Sequence, residues 1–323
     1  MRPPERLLRG LADGRLAVAA HEPGRPRGVR APAVAIGVAM AIAVSSCGLV
    51  RPLQHPHSSP SQLVSPSGSP PAPMAEHPIW LLTTQAIREM AGVGPVTAVL
   101  RSATVLELVG AAGSLYPGLP ATEVISFRSE TAFARWTPGI GAPTPGAVLY
   151  DPEDWVYTPS AERVRWALYA SRFVDLARSR SETPILAPGL DLVKALASGA
   201  GSLASRYLGL GIPREMAQAL GRVRGVLEIQ AQSQERSVSA YRSLVAGAVR
   251  QIRATGSLAE ILAGLSANPG GGPVTSAELE ADVRATDRLV SGYWLNIPEP
   301  GGSCPECAAP DPELGAKVLL AVG

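Results

Sequence analysis

The sequence predicts an α/β fold, a (β/α)8 barrel of the TIM type, preceded by a signal peptide and a disordered linker. Two observations predict the barrel. Short β-rich apolar runs alternate with longer helical segments between residues 76 and 323, and about 250 residues is the length that a barrel of eight βα units needs. No G-x-G-x-x-G or P-loop follows any of the strands, which takes the usual nucleotide-binding reading away from the structural alternative, a doubly wound open sheet. A third observation sets the barrel apart from what precedes it. The first 75 residues carry one apolar run and then a stretch dominated by Pro and Ser.

The apolar run lies in Arg30–Cys47, RAPAVAIGVAMAIAVSSC. It is uncharged from Ala31 to Ala43 behind a positive flank. That is short for a bilayer span of ~20 residues and right for a signal-peptide core; an uncleaved anchor helix is the alternative. The ending Val44-Ser45-Ser46-Cys47 resembles a bacterial lipobox. The resemblance implies cleavage before Cys47, lipidation of its thiol, and an extracytoplasmic protein tethered to the cell membrane. Seven arginines and three acids precede the run in a Gly/Pro-broken segment, so the n-region is long or translation starts later, with Val29 the candidate. Residues 48–75 then form a tether. The stretch RPLQHPHSSPSQLVSPSGSPPAP from Arg51 to Pro73 cannot bury enough apolar surface to offset its ordering entropy. His55 and His57 within it lack a third ligand and make no metal site.

Charge excludes one function class. The chain has 29 Lys+Arg and 27 Asp+Glu, and beyond Cys47 the balance is 22 against 24. Nucleic-acid binding needs a clustered positive footprint, and none is present.

Seven strands follow from the apolar runs Ile79–Thr83, Val124–Phe127, Ala147–Tyr150, Pro184–Ala187, Gly225–Gln230, Ile261–Leu265 and Tyr293–Ile297. The eighth is Val96–Leu100 or Val318–Val322. Thr158-Pro159 starts a helix, with a capping side chain and a proline at its first position, that runs through ERVRWALYASRFVDLARSR. A second helix covers Glu235–Arg253, with Val238, Tyr241, Leu244 or Val245, Ala248 and Ile252 at helical spacing. A third opens on the capping box Thr275-Ser276-Ala277-Glu278 and reaches about Leu289.

Function in such a barrel sits where strands end and the following loops begin. Those ends collect Asp151, Glu153, Asp154 and Trp155, then Asp191, then Glu228, Gln230, Gln232 and Gln234 on one strand face, then Ser266 and Asn268, then Trp294 and Asn296. Glu153 and Glu228 are the candidate catalytic carboxyls. Asp151, Trp155, Gln230, Gln232, Asn268, Trp294 and Asn296 are the candidate substrate-binding groups. Each has a structural alternative. Asp151-Pro152-Glu153 can make a turn, Asp191 can cap a helix, Asn268-Pro269 is a turn signal, the tryptophans can be packing, and a buried Glu228 can be paired with an arginine.

Carboxylates, amides and tryptophans at one end of a barrel resemble the sugar-facing end of glycoside-hydrolase-type barrels. The resemblance implies paired carboxylates for acid/base and nucleophilic work, amides for hydroxyls and indoles for sugar faces. The YDPE-W-TP and GYWLN-IP motifs also resemble those of uncharacterised secreted barrel-like lipoproteins of actinobacteria, which bring no activity with them. The alternative to a hydrolase is a non-catalytic lipoprotein that binds a carbohydrate or another envelope component. No cofactor or metal site is expected, and no oligomeric state is implied. Cys304 and Cys307, in GGSCPECAAPDPE, are expected to form a local disulfide in an oxidising compartment. Free thiols, a metal or a redox role are the alternatives.

Overall fold

The computed structural model describes residues 78–110, 113–137, 144–270, 272–298 and 309–322. The signal peptide, Cys47, the tether, and the Cys304–Cys307 pair lie outside the described residues. Among the described residues, eight parallel strands close into a barrel in sequence order. They are β1 (Ile79–Thr83), β2 (Thr104–Leu108), β3 (Ala121–Phe127), β4 (Ala147–Tyr150), β5 (Thr183–Leu186), β6 (Val226–Ile229), β7 (Glu260–Ser266) and β8 (Gly292–Asn296). β1 pairs with both β2 and β8, with Ile79 opposite Thr104 and Gly292. The closing seam is tight at Gly292, where a Cβ would lie 2.5 Å from the Ile79 nitrogen.

Seven strands stand where their apolar runs predict them, and the eighth is a correction. Val96–Ser102 and Pro312–Val322 are helices, and the missing strand is β2, TVLEL. Both rejected runs hold valine and leucine that serve a helix once one face is buried. In Val96–Ser102 the buried positions are Val96 and Leu100, four apart, which is a helical and not a strand period.

Helices are adjusted as well. The helix expected from Thr158 is two, Ser160–Val164 and Trp166–Ser179, broken at Arg165. The Thr158 hydroxyl does not cap it. It accepts a hydrogen bond from the Glu153 nitrogen at 3.1 Å. The next expected helix starts three residues late, as Val238–Arg253, with Ser237 as N-cap. Glu235 instead turns inward and accepts the Ser266 N–H at 2.5 Å. The capping box of Thr275 and Glu278 is formed, and its helix is Ser276–Thr286.

Alternation along the strands sorts the core into two sets. Leu81, Leu106, Val124, Leu149, Ile185, Val226, Leu262 and Trp294 form one cluster with a member from every strand, so they fill the lumen. Their strand neighbours, such as Trp80, Val105, Val148, Leu227, Ile261 and Tyr293, pack outward against the helices. Carrying the inward parity past the ends of β3, β4 and β6, and to the last residues of β7 and β8, gives residues of the mouth: Arg128, Asp151, Gln230, Ser266 and Asn296.

Outside the barrel, Phe133 packs on Phe173 (4.5 Å between ring centroids) and Tyr150 stacks on Phe173 at 5.2 Å. These contacts hold the helix Glu130–Arg135 and the end of β4 against Trp166–Ser179, and aromatic pairs of this kind are worth ~0.5–1.5 kcal/mol each beyond their burial. No helix among the described residues is long and apolar enough to cross a membrane.

Candidate active site at the barrel mouth

A cleft of about 420 Å³ opens at the C-terminal ends of the strands. Asp151, Glu153, Gln230, Gln232, Asn268, Trp294 and Asn296, all singled out in the sequence, line it together with Arg128, Asp191, Ser233 and Ser266. A smaller cavity, about 220 Å³, lies beside Pro78 and Gly292, at the N-terminal ends of β1 and β8. Conversion chemistry in barrels of this class belongs to the strand C-termini, and the titratable cluster is there too.

Arg128 organises one wall. Its Nη1 contacts Asp151 Oδ2 and lies 2.9 Å from Glu153 Oε2. The guanidinium also sits over the Trp155 ring, 4.9 Å from its centroid. Gln230 Nε2 donates to Asp151 Oδ1 at 2.7 Å and to the Ala187 carbonyl at 2.9 Å, tying β6 to β4 and β5. Asp191 is not a helix cap: it sits in a short 3-10 turn, and its Oδ1 accepts the Asp154 N–H at 3.2 Å. That bond links the loop after β4 to the loop after β5.

Gly189 makes this crowding possible. A Cβ there would lie 2.7 Å from Asp191 Oδ1 and 2.9 Å from Glu153 Cγ. Those two atoms are therefore no farther apart than the two distances laid end to end. Gly264 plays the same part on β7, where a Cβ would lie 2.7 Å from Gln232 Oε1. The missing side chain lets Gln232 fold over the lumen.

The environments of the carboxyls differ. Asp151 is almost wholly buried, its side chain 2 % exposed. Burial pushes its pKa up to about 6, against the pull of Arg128 and Gln230, with Asp191 adding to the rise. Glu153 is 26 % exposed to the cleft. Burial, and then the charge of Asp151, push it up to about 8 although Arg128 pulls the other way.

Glu228 departs from its expected role. Its inward direction on β6 is as predicted, but it is 0 % exposed and does not line the cleft. Neither carboxyl oxygen has a hydrogen-bond partner among the described residues, so the arginine pair that would make it purely structural is not formed. Burial holds its pKa well above the ordinary range, with Asp151 and Glu153 adding to the shift. It sits beneath the cleft floor, one pleat below Gln230.

Two further expectations change. Trp155 does not line the cleft; it stacks under Arg128 and meets Tyr157 edge-on at 4.8 Å. The polar alternation of β6 stops at Gln230, because Gln232–Gln234 form a 3-10 turn, and Gln234, which donates to Ser233 Oγ at 2.9 Å, does not line the cleft. Trp294 does lie in the floor, with its indole nitrogen buried and without a hydrogen-bond partner among the described residues.

Arg128 escaped the sequence reading, although it continues the inward parity Val124–Ser126–Arg128 past the end of β3. Glu162 escaped as well. It is buried and accepts hydrogen bonds from Ser129 Oγ (2.7 Å), Glu130 N (2.7 Å), Thr131 N (3.2 Å) and Tyr150 Oη (3.2 Å). These donors adjoin Arg128 on one side and Asp151 on the other, so Glu162 braces the ion pair from behind.

Among the described residues, no three carboxylate, imidazole or thiol groups converge at metal-ligand spacing. No protein-family model matches the chain, and no curated protein matches it.

Proposed function

We propose that this protein is an extracytoplasmic lipoprotein, anchored through Cys47, whose barrel hydrolyses glycans with Glu153 as proton donor. The observation that carries the reading is Glu153 itself. It is open to the cleft, has its pKa pushed up to about 8 by burial and by Asp151, and stands beside a second carboxyl, Asp191, across the space above Gly189. Two carboxyl groups in unlike environments are what acid-assisted cleavage of a glycosidic bond requires.

In this mechanism Glu153 gives its proton to the departing sugar oxygen as the bond to the anomeric carbon breaks. Asp191, on the neighbouring loop, supports the positive charge that develops on the sugar and directs the incoming nucleophile. Arg128 then stabilises the Glu153 carboxylate left behind. Gln232, Asn268 and Asn296 offer hydrogen bonds to hydroxyls, and the Trp294 ring offers an apolar face in the floor. Glu228, expected as the second catalytic carboxyl, is replaced in that role by Asp191 because it has no surface in the cleft. The anchor rests on the apolar run Ala31–Ala43 and the sequence Val44–Cys47.

A second reading is a carbohydrate-binding lipoprotein without catalysis, favoured by one observation: Arg128 already engages Glu153 at 2.9 Å. Reducing-end release from a panel of β-linked glycans separates the two. Hydrolysis is expected from the wild type and not from Glu153→Gln. Binding without release by the wild type would establish the second reading.

A further inference from the structure

The cleft and its floor hold four carboxyl groups, Asp151, Glu153, Asp191 and Glu228, and Arg128 is the one cation lining the cleft among the described residues. Its guanidinium is already shared between Asp151 and Glu153. Glu228, fully buried and facing the lumen, finds no hydrogen-bond partner for either oxygen among the described residues. Buried acids are ordinarily satisfied, and one left without a partner beside a binding cleft marks a place for a group supplied from outside. No set of three ligands converges there as a metal would need.

We propose that the glycan taken by this cleft carries free ammonium groups, as a de-N-acetylated amino sugar does, and that the carboxyl cluster receives one of them. The proposal rests on the glycan reading above and narrows it. An ammonium has three donors and a compact charge, so it can be shared between neighbouring carboxyls as the Arg128 Nη1 is shared between Asp151 and Glu153. Without ligand, burial holds the Glu228 carboxyl well above the ordinary range. An arriving cation favours its charged form, so binding releases protons to solvent, while Glu153 keeps the one it donates. An N-acetylated sugar brings no charge and leaves the carboxyls as they are. The amides of Gln232 and Asn296 and the indole of Trp294 in the same cleft suit a polyhydroxylated ring rather than a basic peptide.

The test is calorimetry on the full-length protein at about pH 7 in two buffers of different ionisation enthalpy. Three probes are compared: a glucosamine tetramer, its fully N-acetylated counterpart and 1,4-diaminobutane. The expected result is at least about tenfold tighter binding of the glucosamine tetramer than of the acetylated one, with proton release; charge-assisted hydrogen bonds are strong enough for that ratio. Glu228→Gln, close in shape to the neutral acid, is expected to shrink the ratio. Equal or tighter binding of the acetylated tetramer overturns this inference and leaves the glycan reading standing. Binding of the diamine alone upholds the ammonium subsite and removes the glycan reading. If none of the three binds, both are overturned.

Discussion

Replacing Arg128 with methionine tests the electrostatics of the mouth at their source. Methionine keeps much of the stem over Trp155 and removes the cation shared by Asp151 and Glu153. In the wild type, Asp151 titrates at about 6 in the folded protein, against 3.8 for the ordinary group. The folded state thus binds more protons than the unfolded one between these values, and stability falls as pH rises through that window. Above about 6, Asp151 adds no further loss. Without Arg128 its pKa moves higher, so the loss continues upward at ~1.4 kcal/mol per pH unit. Two further units, from pH 6 to 8, amount to ~2.7 kcal/mol, near the lower end of the ~3–5 kcal/mol seen when one partner of a buried pair is removed. At pH 5 Asp151 is protonated in both proteins, and the cost falls to the lost cation–π contact, ~0.5–1 kcal/mol. Thermal denaturation at both pH values is the assay. For a domain this size the pH 8 difference corresponds to a melting shift of roughly 6–12 °C. A destabilisation of the same size at pH 5 and pH 8 would refute the reasoning.

Gly189→Ala is expected to cost ~1–3 kcal/mol by overpacking and to separate the Asp191 and Glu153 carboxyls; chemical denaturation together with glycan-hydrolysis rates checks both effects. Glu162→Gln must turn its amide NH2 toward one of two backbone donors, that of Glu130 or that of Thr131, which bond different carboxyl oxygens, with an expected loss of ~2–3 kcal/mol; an unchanged denaturation midpoint would remove Glu162 from its bracing role. Cys47→Ala is expected to release the protein from the membrane fraction, because cleavage and acylation both need that thiol; retention after a carbonate wash would favour the uncleaved helix.

The barrel was legible because its strands are apolar on both faces and bounded by loops, so each run of four or five residues declares itself. β2 was not, since TVLELVG follows directly on a helix that has the same valine and leucine content. Composition could not divide VTAVLRSATVLEL into helix and strand; only burial at Val96 and Leu100 does so. At the mouth, acids and amides stood out at strand ends, and seven of those named there line the cleft. What stayed hidden was depth and pairing. Period-two alternation gives the direction of Glu228, yet whether it reaches solvent depends on Gln230, one pleat above, and on Gln232, folded over Gly264. Arg128 is one of many arginines in the chain, and only the parity Val124–Ser126–Arg128 sets it apart.

Glu153 must hold a proton at the pH where it acts as an acid. A carbon-detected NMR titration of glutamate side-chain carboxyls, with Glu153 assigned through Glu153→Gln, measures this directly. A midpoint near 8 is predicted, moving upward in Arg128→Met. A midpoint below about 5, the ordinary glutamate range, would contradict the assignment of Glu153 as proton donor.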